Sequence, residues 1–159
     1  MIMDFDRRQL LAGILVIPIT AAIPATAASG PPTIAVAKTA TCGCCQVWVD
    51  YLTKEGFRVE TQDMAAGQLT QFKIKHGITP DLASCHTARV AGYTIEGHVP
   101  VREINRLLAE KPDAIGLTVP GMPLGSPGMD YGSEKEPYDV LLIKKDGTTS
   151  VFAKYVGQR

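Results

Sequence analysis

The chain has 159 residues, with sixteen basic and sixteen acidic side chains, 45% hydrophobic residues and 20% charged ones. That length holds one domain with short appendages, and the composition is globular rather than disordered. Balanced charge supplies no overall field to draw in nucleic acid or an anionic membrane surface. Fifteen glycines and eleven prolines point to a loop-rich fold, and no internal repeat is visible.

Residues 1–27 read as an export signal. Arg7 and Arg8 precede an apolar run from Leu10 to Ile23 that is too short and too proline-broken to span a membrane. Pro18 and Pro24 also argue against a core helix. Ala25-Thr26-Ala27 supplies the small residues of a cleavage site. The stretch "DRRQLL" is similar to a twin-arginine signal, and Asp4 and Asp6 are out of place in a general secretory leader, so twin-arginine export is favoured. Removing the segment takes two acidic and two basic residues and leaves the mature chain neutral. A periplasmic protein, free of the membrane once the signal is removed, is expected, in an oxidising compartment.

"TIAVAK" (33–38) is a β-branched apolar run and predicts a buried strand. From Cys45 the spacing becomes helical, with Trp48, Val49 and Leu52 on one side and Gly56 as the stop. "FRVETQD" (57–63) predicts a second strand. "MAAGQLTQFKIKHG" (64–77) predicts a second helix, with Leu69, Phe72 and the Lys73 stem inward, Met64 as a core or cap contact and His76 solvated at its end. "ITPDLASCHTA" is a loop carrying the fourth cysteine. "TARVAGYTIEGH" (87–98) reads as two short strands turning at Ala91-Gly92, and "VPVREINRLLAEK" (99–111) as a helix with Pro100 near its first turn. "GLTVPGMPLGSPGMDYGSEKEP" (116–137) is too rich in glycine and proline for a helix or central strand and is expected as a loop. "YDVLLIKKDGTTSVFAKY" (138–155) is a hairpin around Lys145-Asp146-Gly147. The fold class predicted is α/β: a single domain over 28–159, with a thioredoxin-like βαβαββα core (33–111) and an added C-terminal loop and β-hairpin.

The chemistry concentrates in "TATCGCCQVWVDYL", which holds three of the four cysteines. An oxidising compartment suggests two disulfides, yet Cys44–Cys45 and Cys42–Cys44 are too close in sequence to bridge without strain. Cys42–Cys45, or a bridge to the distant Cys85, remains feasible. Cys42 and Cys45 form a C-x-x-C pair at a helix N-terminus, where free N–H groups and the helix dipole favour thiolate. This is a thioredoxin-like placement. Cys44 is surplus to dithiol chemistry. Three thiolates within one turn, and a fourth from a loop, suit Cu(I), which accepts two or three soft ligands. Zinc prefers four ligands from separated pairs and is less favoured.

Further soft or borderline donors are His86, His98, Met122 and Met129. His98 reads equally as a ligand and as a turn contact, and the two methionines read as loop packing or as thioether donors. No flavin, haem or nucleotide signature is present, because "GMPLGSPG" follows no strand–helix phosphate-loop pattern.

Three stretches in order, "TCGCCQVWVDYL", "SCHTARVAGYTIEGHVPVREINRLLAEKPDAIGLTVPGMPLGSPGMD" and the closing "YDVLLI", closely resemble the bacterial CopG-like copper-resistance family. That family was long catalogued as a domain of unknown function and is distinct from the DNA-binding repressor that shares its name. The resemblance covers about residues 33–155. It implies a thioredoxin-like fold, a periplasmic location, and Cu(I) held by Cys42, Cys44, Cys45 and Cys85, as one ion or several. It places His86, His98, Met122 and Met129 at matching positions as second-tier ligands; Asp130 stands where glutamate is expected. It also implies work alongside other periplasmic copper-handling proteins, either changing the redox state of copper or passing it on. The alternative is an enzyme, a thiol–disulfide oxidoreductase in which Cys42 attacks and Cys45 resolves, leaving Cys44 and Cys85 idle. A disulfide-stapled structural module is disfavoured by the local spacing.

Overall fold

The computed structural model of the protein describes residues 32–157; the expected signal segment lies outside them. Four strands and three helices follow the predicted order: β1 (Thr33–Lys38), α1 (Gly43–Lys54), β2 (Arg58–Asp63), α2 (Ala66–Lys75), β3 (Thr87–Val90), β4 (Tyr93–Glu96) and α3 (Val101–Glu110). Three further strands, β5 (Ala114–Thr118), β6 (Tyr138–Lys144) and β7 (Thr149–Tyr155), complete a seven-stranded sheet of order β2-β1-β3-β4-β5-β6-β7. β1 pairs parallel with β2 and antiparallel with β3, and β3 pairs antiparallel with β4. This is the thioredoxin-like core, widened by three strands on the β4 side.

β5 is the difference from the sequence reading, which starts a loop at residue 116. Gly116 lies inside this strand, parallel to β4. A Cβ there would sit 1.7 Å from the Thr94 carbonyl oxygen, so the glycine marks a close backbone approach between strands rather than a turn. The loop begins at residue 119 and returns to the sheet at the predicted hairpin. At α3, Pro100 is the residue preceding the first helical turn.

The sheet is covered on both faces. Trp48 and Leu52 of α1 and Ile104 and Leu107 of α3 pack with Ile34, Val36, Ala88, Ile95 and Leu117 in the main core. Each leucine, isoleucine and valine among them, fully buried, contributes roughly 1.5–3 kcal/mol. Along β6, Val140 and Leu142 face this cluster, whereas Leu141 and Ile143 join a smaller one with Ile78 and Leu82. That alternation is the two-residue period of a strand sandwiched between layers.

Strand register brings four chain segments to one end of the sheet. Ala37 lies opposite Thr87, Thr87 opposite Glu96, and Glu96 opposite Thr118. The turn to Cys42 leaves β1 at this end, Cys85 and His86 enter β3 there, and His98 and the 119–137 loop follow β4 and β5 out of it.

Candidate metal centre

Cys42 is the N-cap of α1 in an extended conformation, and the Gln46 N–H donates to its carbonyl at 3.3 Å. Cys42 and Cys45 are joined by a disulfide with a Cα–Cα distance of 5.3 Å. Of the two pairings left open by the sequence, the local one forms. Cys44 and Cys85 are free thiols, both half-buried. The Cys42 and Cys44 sulfurs lie 3.5 Å apart, and the Cys44 and Cys85 sulfurs 3.7 Å apart. All four sulfurs lie within 4.8 Å of one another.

Cys85 belongs to a second group as well. Its Sγ is 3.1 Å from His98 Nε2 and 3.3 Å from His86 Nδ1, and these atoms too lie within 4.8 Å of each other. Both histidines are fully buried. His98 Nδ1 lies 2.8 Å from the Pro127 carbonyl oxygen, which can only accept. The ring proton therefore sits on Nδ1, and Nε2 presents its lone pair to Cys85. The His86 ring packs against Trp48 at a centroid distance of 4.3 Å and edge-on to His98 at 4.9 Å. Trp48 is itself pinned by a hydrogen bond from its indole N–H to the Val99 carbonyl. Among the described residues His86 Nε2 has no hydrogen-bond partner, although it is buried, a cost in a protein interior unless a ligand or water takes it up.

Burial sets the protonation states. It pushes His86 well below its ordinary value, helped by the neighbouring His98 and Lys73, and it lowers His98 against the opposing effect of the Pro127 carbonyl and Asp130. Both rings are neutral near pH 7, the form that ligates metals. Burial, reinforced by Cys44, pushes the Cys85 thiol up to about 12. A metal bound there has to displace the thiol proton.

The glycine- and proline-rich loop seats against this centre through its backbone. At Gly128, with φ +87°, a Cβ would lie 3.0 Å from both the Cys44 carbonyl oxygen and the Trp48 nitrogen. Only glycine combines that backbone conformation with so close an approach to the first turn of α1. Within the loop, Met122 is exposed and Met129 half-buried, and the Met129 N–H closes a turn onto the Ser126 carbonyl. His76 ends α2 with its ring on Phe72 and Nδ1 at 2.8 Å from the Phe72 carbonyl, so it is half-buried rather than solvated. Met64 precedes α2, its N–H bonded to the Lys38 carbonyl.

No charged side chain occurs between Thr39 and Val49 or between Val119 and Met129, so the first turn of α1 and the near half of the loop are electrically plain. A cleft of about 710 Å³ opens on the far side of the loop, walled by Tyr51, Arg102, Gly128, Tyr138 and Tyr155. None of the six cysteine and histidine donors lines it.

The sequence reading does not find Glu96 and the Lys73 ammonium, a buried ion pair directly behind Cys85 and His86. Its only trace in sequence is the charged residue closing a short apolar strand.

A family model described as a protein of unknown function, DUF411, matches residues 82–129. Two solved structures of a copper resistance protein copG are similar to the chain. Form 2 is 40% identical with a TM-score of 0.73, covering 79% of this chain and 98% of that one. Form 1 is 39% identical with a TM-score of 0.75, covering 80% and 99%. The chain belongs to the CopG copper-resistance family. No curated protein matches it. CopG membership and the thioredoxin-like α/β class agree with the sequence reading. The DUF411 span holds Cys85, His86, His98, Met122 and Met129, and the C-x-C-C segment precedes it.

Proposed function

We propose that this CopG-family chain is a periplasmic copper-resistance protein that binds Cu(I) through Cys42, Cys44, Cys45 and Cys85. His86 and His98 supply imidazole, and Met122 and Met129 serve as outer thioether donors. The observation that carries the reading is the convergence of four sulfurs and two neutral, buried imidazoles, with Cys85 common to both groups. Thiolate and imidazole suit Cu(I), which is content with two or three ligands. Zinc is the less favoured metal, because structural zinc sites draw their cysteines from separated pairs, whereas here they are grouped three plus one along the chain.

Binding is coupled to thiol redox state in this reading. A dithiol reductant supplies two electrons and two protons to the Cys42–Cys45 disulfide, freeing two more thiols and widening the donor set from four side chains to six. The twin-arginine-type leader delivers the protein to the periplasm, where it works with other copper-handling proteins there. Its surroundings call for no nucleic acid and no membrane contact after export.

The test is an anaerobic Cu(I) titration of the reduced, exported protein. Thiolate-to-copper charge-transfer absorption is expected, falling stepwise with Cys→Ser substitution at the four positions; absence of tight binding sinks the reading. The Cys42–Cys45 disulfide at the α1 N-terminus favours a second reading, thiol–disulfide exchange. Cys44→Ser separates the two: an oxidoreductase keeps disulfide-reducing activity, whereas a copper site loses affinity.

A further inference from the structure

The Lys73–Glu96 pair is an unusual thing to find in a domain of this size. Glu96 is fully buried and the Lys73 side chain is 11% exposed. Burying two charges costs several kcal/mol per ion before their attraction and hydrogen bonds offset it, and well-packed apolar residues are often as stable or more so. Stability alone is therefore a poor account of the pair, and its partners suggest another. One Glu96 carboxylate oxygen receives the Lys73 ammonium and the Ser84 backbone N–H, the latter at 2.6 Å. The other accepts the Thr87 hydroxyl at 2.7 Å. Thr87 Oγ1 also takes a hydrogen bond from Lys73 Nζ at 2.9 Å. Ser84 and Thr87 bracket Cys85 and His86, and Glu96 stands two residues before His98. Backbone bonding repeats the connection, with the Gly97 N–H on the His86 carbonyl at 3.0 Å. At Gly97 a Cβ would fall 2.6 Å from Ser84 Cβ, so the two segments are in close contact.

We propose that Glu96 is a positioning residue of the metal centre: its buried carboxylate, oriented by Lys73, clamps the segment carrying Cys85 and His86 to the strand end carrying His98. The inference rests on the copper reading for its consequence, but the clamp itself is a property of the metal-free chain. Glu96 touches no donor atom. It acts by holding the Ser84 N–H and the Thr87 hydroxyl, so that the Cys85 sulfur meets both imidazoles without reorganisation on binding. Groups of this kind behind metal ligands change affinity about 10- to 100-fold when lost.

Two double variants isolate the clamp, because both are charge-neutral and both lack the ion pair. Lys73→Met with Glu96→Gln keeps an oxygen to accept the Ser84 N–H. Lys73→Met with Glu96→Leu removes that acceptor. Amide hydrogen exchange at Ser84 and Cys85 in the metal-free exported protein, and Cu(I) affinity against a chromophoric chelator, are read on each. The Gln variant is expected to keep Ser84 protected and to bind within about threefold of the parent. The Leu variant is expected to lose Ser84 protection and about 10- to 100-fold in affinity, while its urea midpoint stays near that of the Gln variant. Equal Ser84 protection in the two variants overturns the clamp. If the parent protein binds no Cu(I), the copper reading fails, and the exchange data still decide the clamp. Should the Leu variant unfold, Lys73→Met with Glu96→Met, which keeps the length of the side chain without its oxygens, takes its place against the Gln variant: lost Ser84 protection supports the acceptor role, and protection equal to the Gln variant's refutes it.

Discussion

Gly128→Ala tests whether the glycine- and proline-rich loop is part of the metal centre or merely covers it. Two costs add at this position. An L-residue held at φ +87° pays roughly 1–2 kcal/mol for the left-handed region. The new methyl carbon also meets the Cys44 carbonyl oxygen and the Trp48 nitrogen at 3.0 Å and Trp48 Cβ at 3.1 Å. The first two are backbone atoms of a helix and cannot step aside, so overpacking adds about 1–3 kcal/mol. Gly132→Ala, in the same loop, is the control: φ is +79° but nothing lies within 4 Å of the added Cβ, leaving the conformational cost alone. Urea unfolding followed by the fluorescence of Trp48, the single tryptophan, is expected to show Gly128→Ala destabilised by about 2–5 kcal/mol and Gly132→Ala by about 1–2 kcal/mol. Lifting residue 128 also pulls the Pro127 carbonyl from His98 Nδ1, so Cu(I) affinity falls with the first substitution and not with the second. Equal losses of stability in the two variants would refute the packing argument. An unchanged copper affinity in Gly128→Ala would refute the loop's role in orienting His98.

The metal-free protein is expected to lose stability as pH falls below about 6.5, because an unfolded histidine titrates near that value whereas burial lowers both His86 and His98. Below that pH the unfolded chain binds more protons than the native one, so each ring removes up to about 1.4 kcal/mol per pH unit down to its native value; His86→Gln should reduce the slope measured by denaturant titration across pH 4.5–7, taken as about the range of interest. Trp48→Phe removes the hydrogen bond to the Val99 carbonyl and leaves space beside His86, with a loss of about 2–4 kcal/mol expected from urea midpoints. Ala91 has φ +47° ahead of Gly92 at φ +90°, a turn that favours Asn-Gly; Ala91→Asn is expected to raise stability by about 1 kcal/mol, and a thermal midpoint at or below the parent's would count against that.

Periodic segments were the legible part of the fold. TIAVAK, the helix from Cys45 and the 138–155 hairpin each carry a pattern that local physics alone produces. β5 was hidden because Gly116 is there for the sake of Thr94 on the neighbouring strand, and a constraint between strands leaves no local mark. The same distinction holds at the site. The C-x-x-C placement follows from the start of α1, and the pairing of His98 with Cys85 follows from strand register once the topology is known. Glu96 and Lys73 are separated by 23 positions and meet only through the packing of α2 on the sheet, so neither announces its partner. The same is true of Gly128, which looks like one more loop glycine until α1 is set against it.

The absence of charge along Thr39–Val49 and Val119–Met129 bears on kinetics as much as on binding. Fields of several kT at charged clefts accelerate encounter and make the rate fall steeply with salt. This centre lies between two neutral segments on a chain of zero formal net charge, which supply no long-range field to steer an approaching ion or protein. For the copper role proposed above, arrival is then left to ordinary diffusion, nearly indifferent to ionic strength.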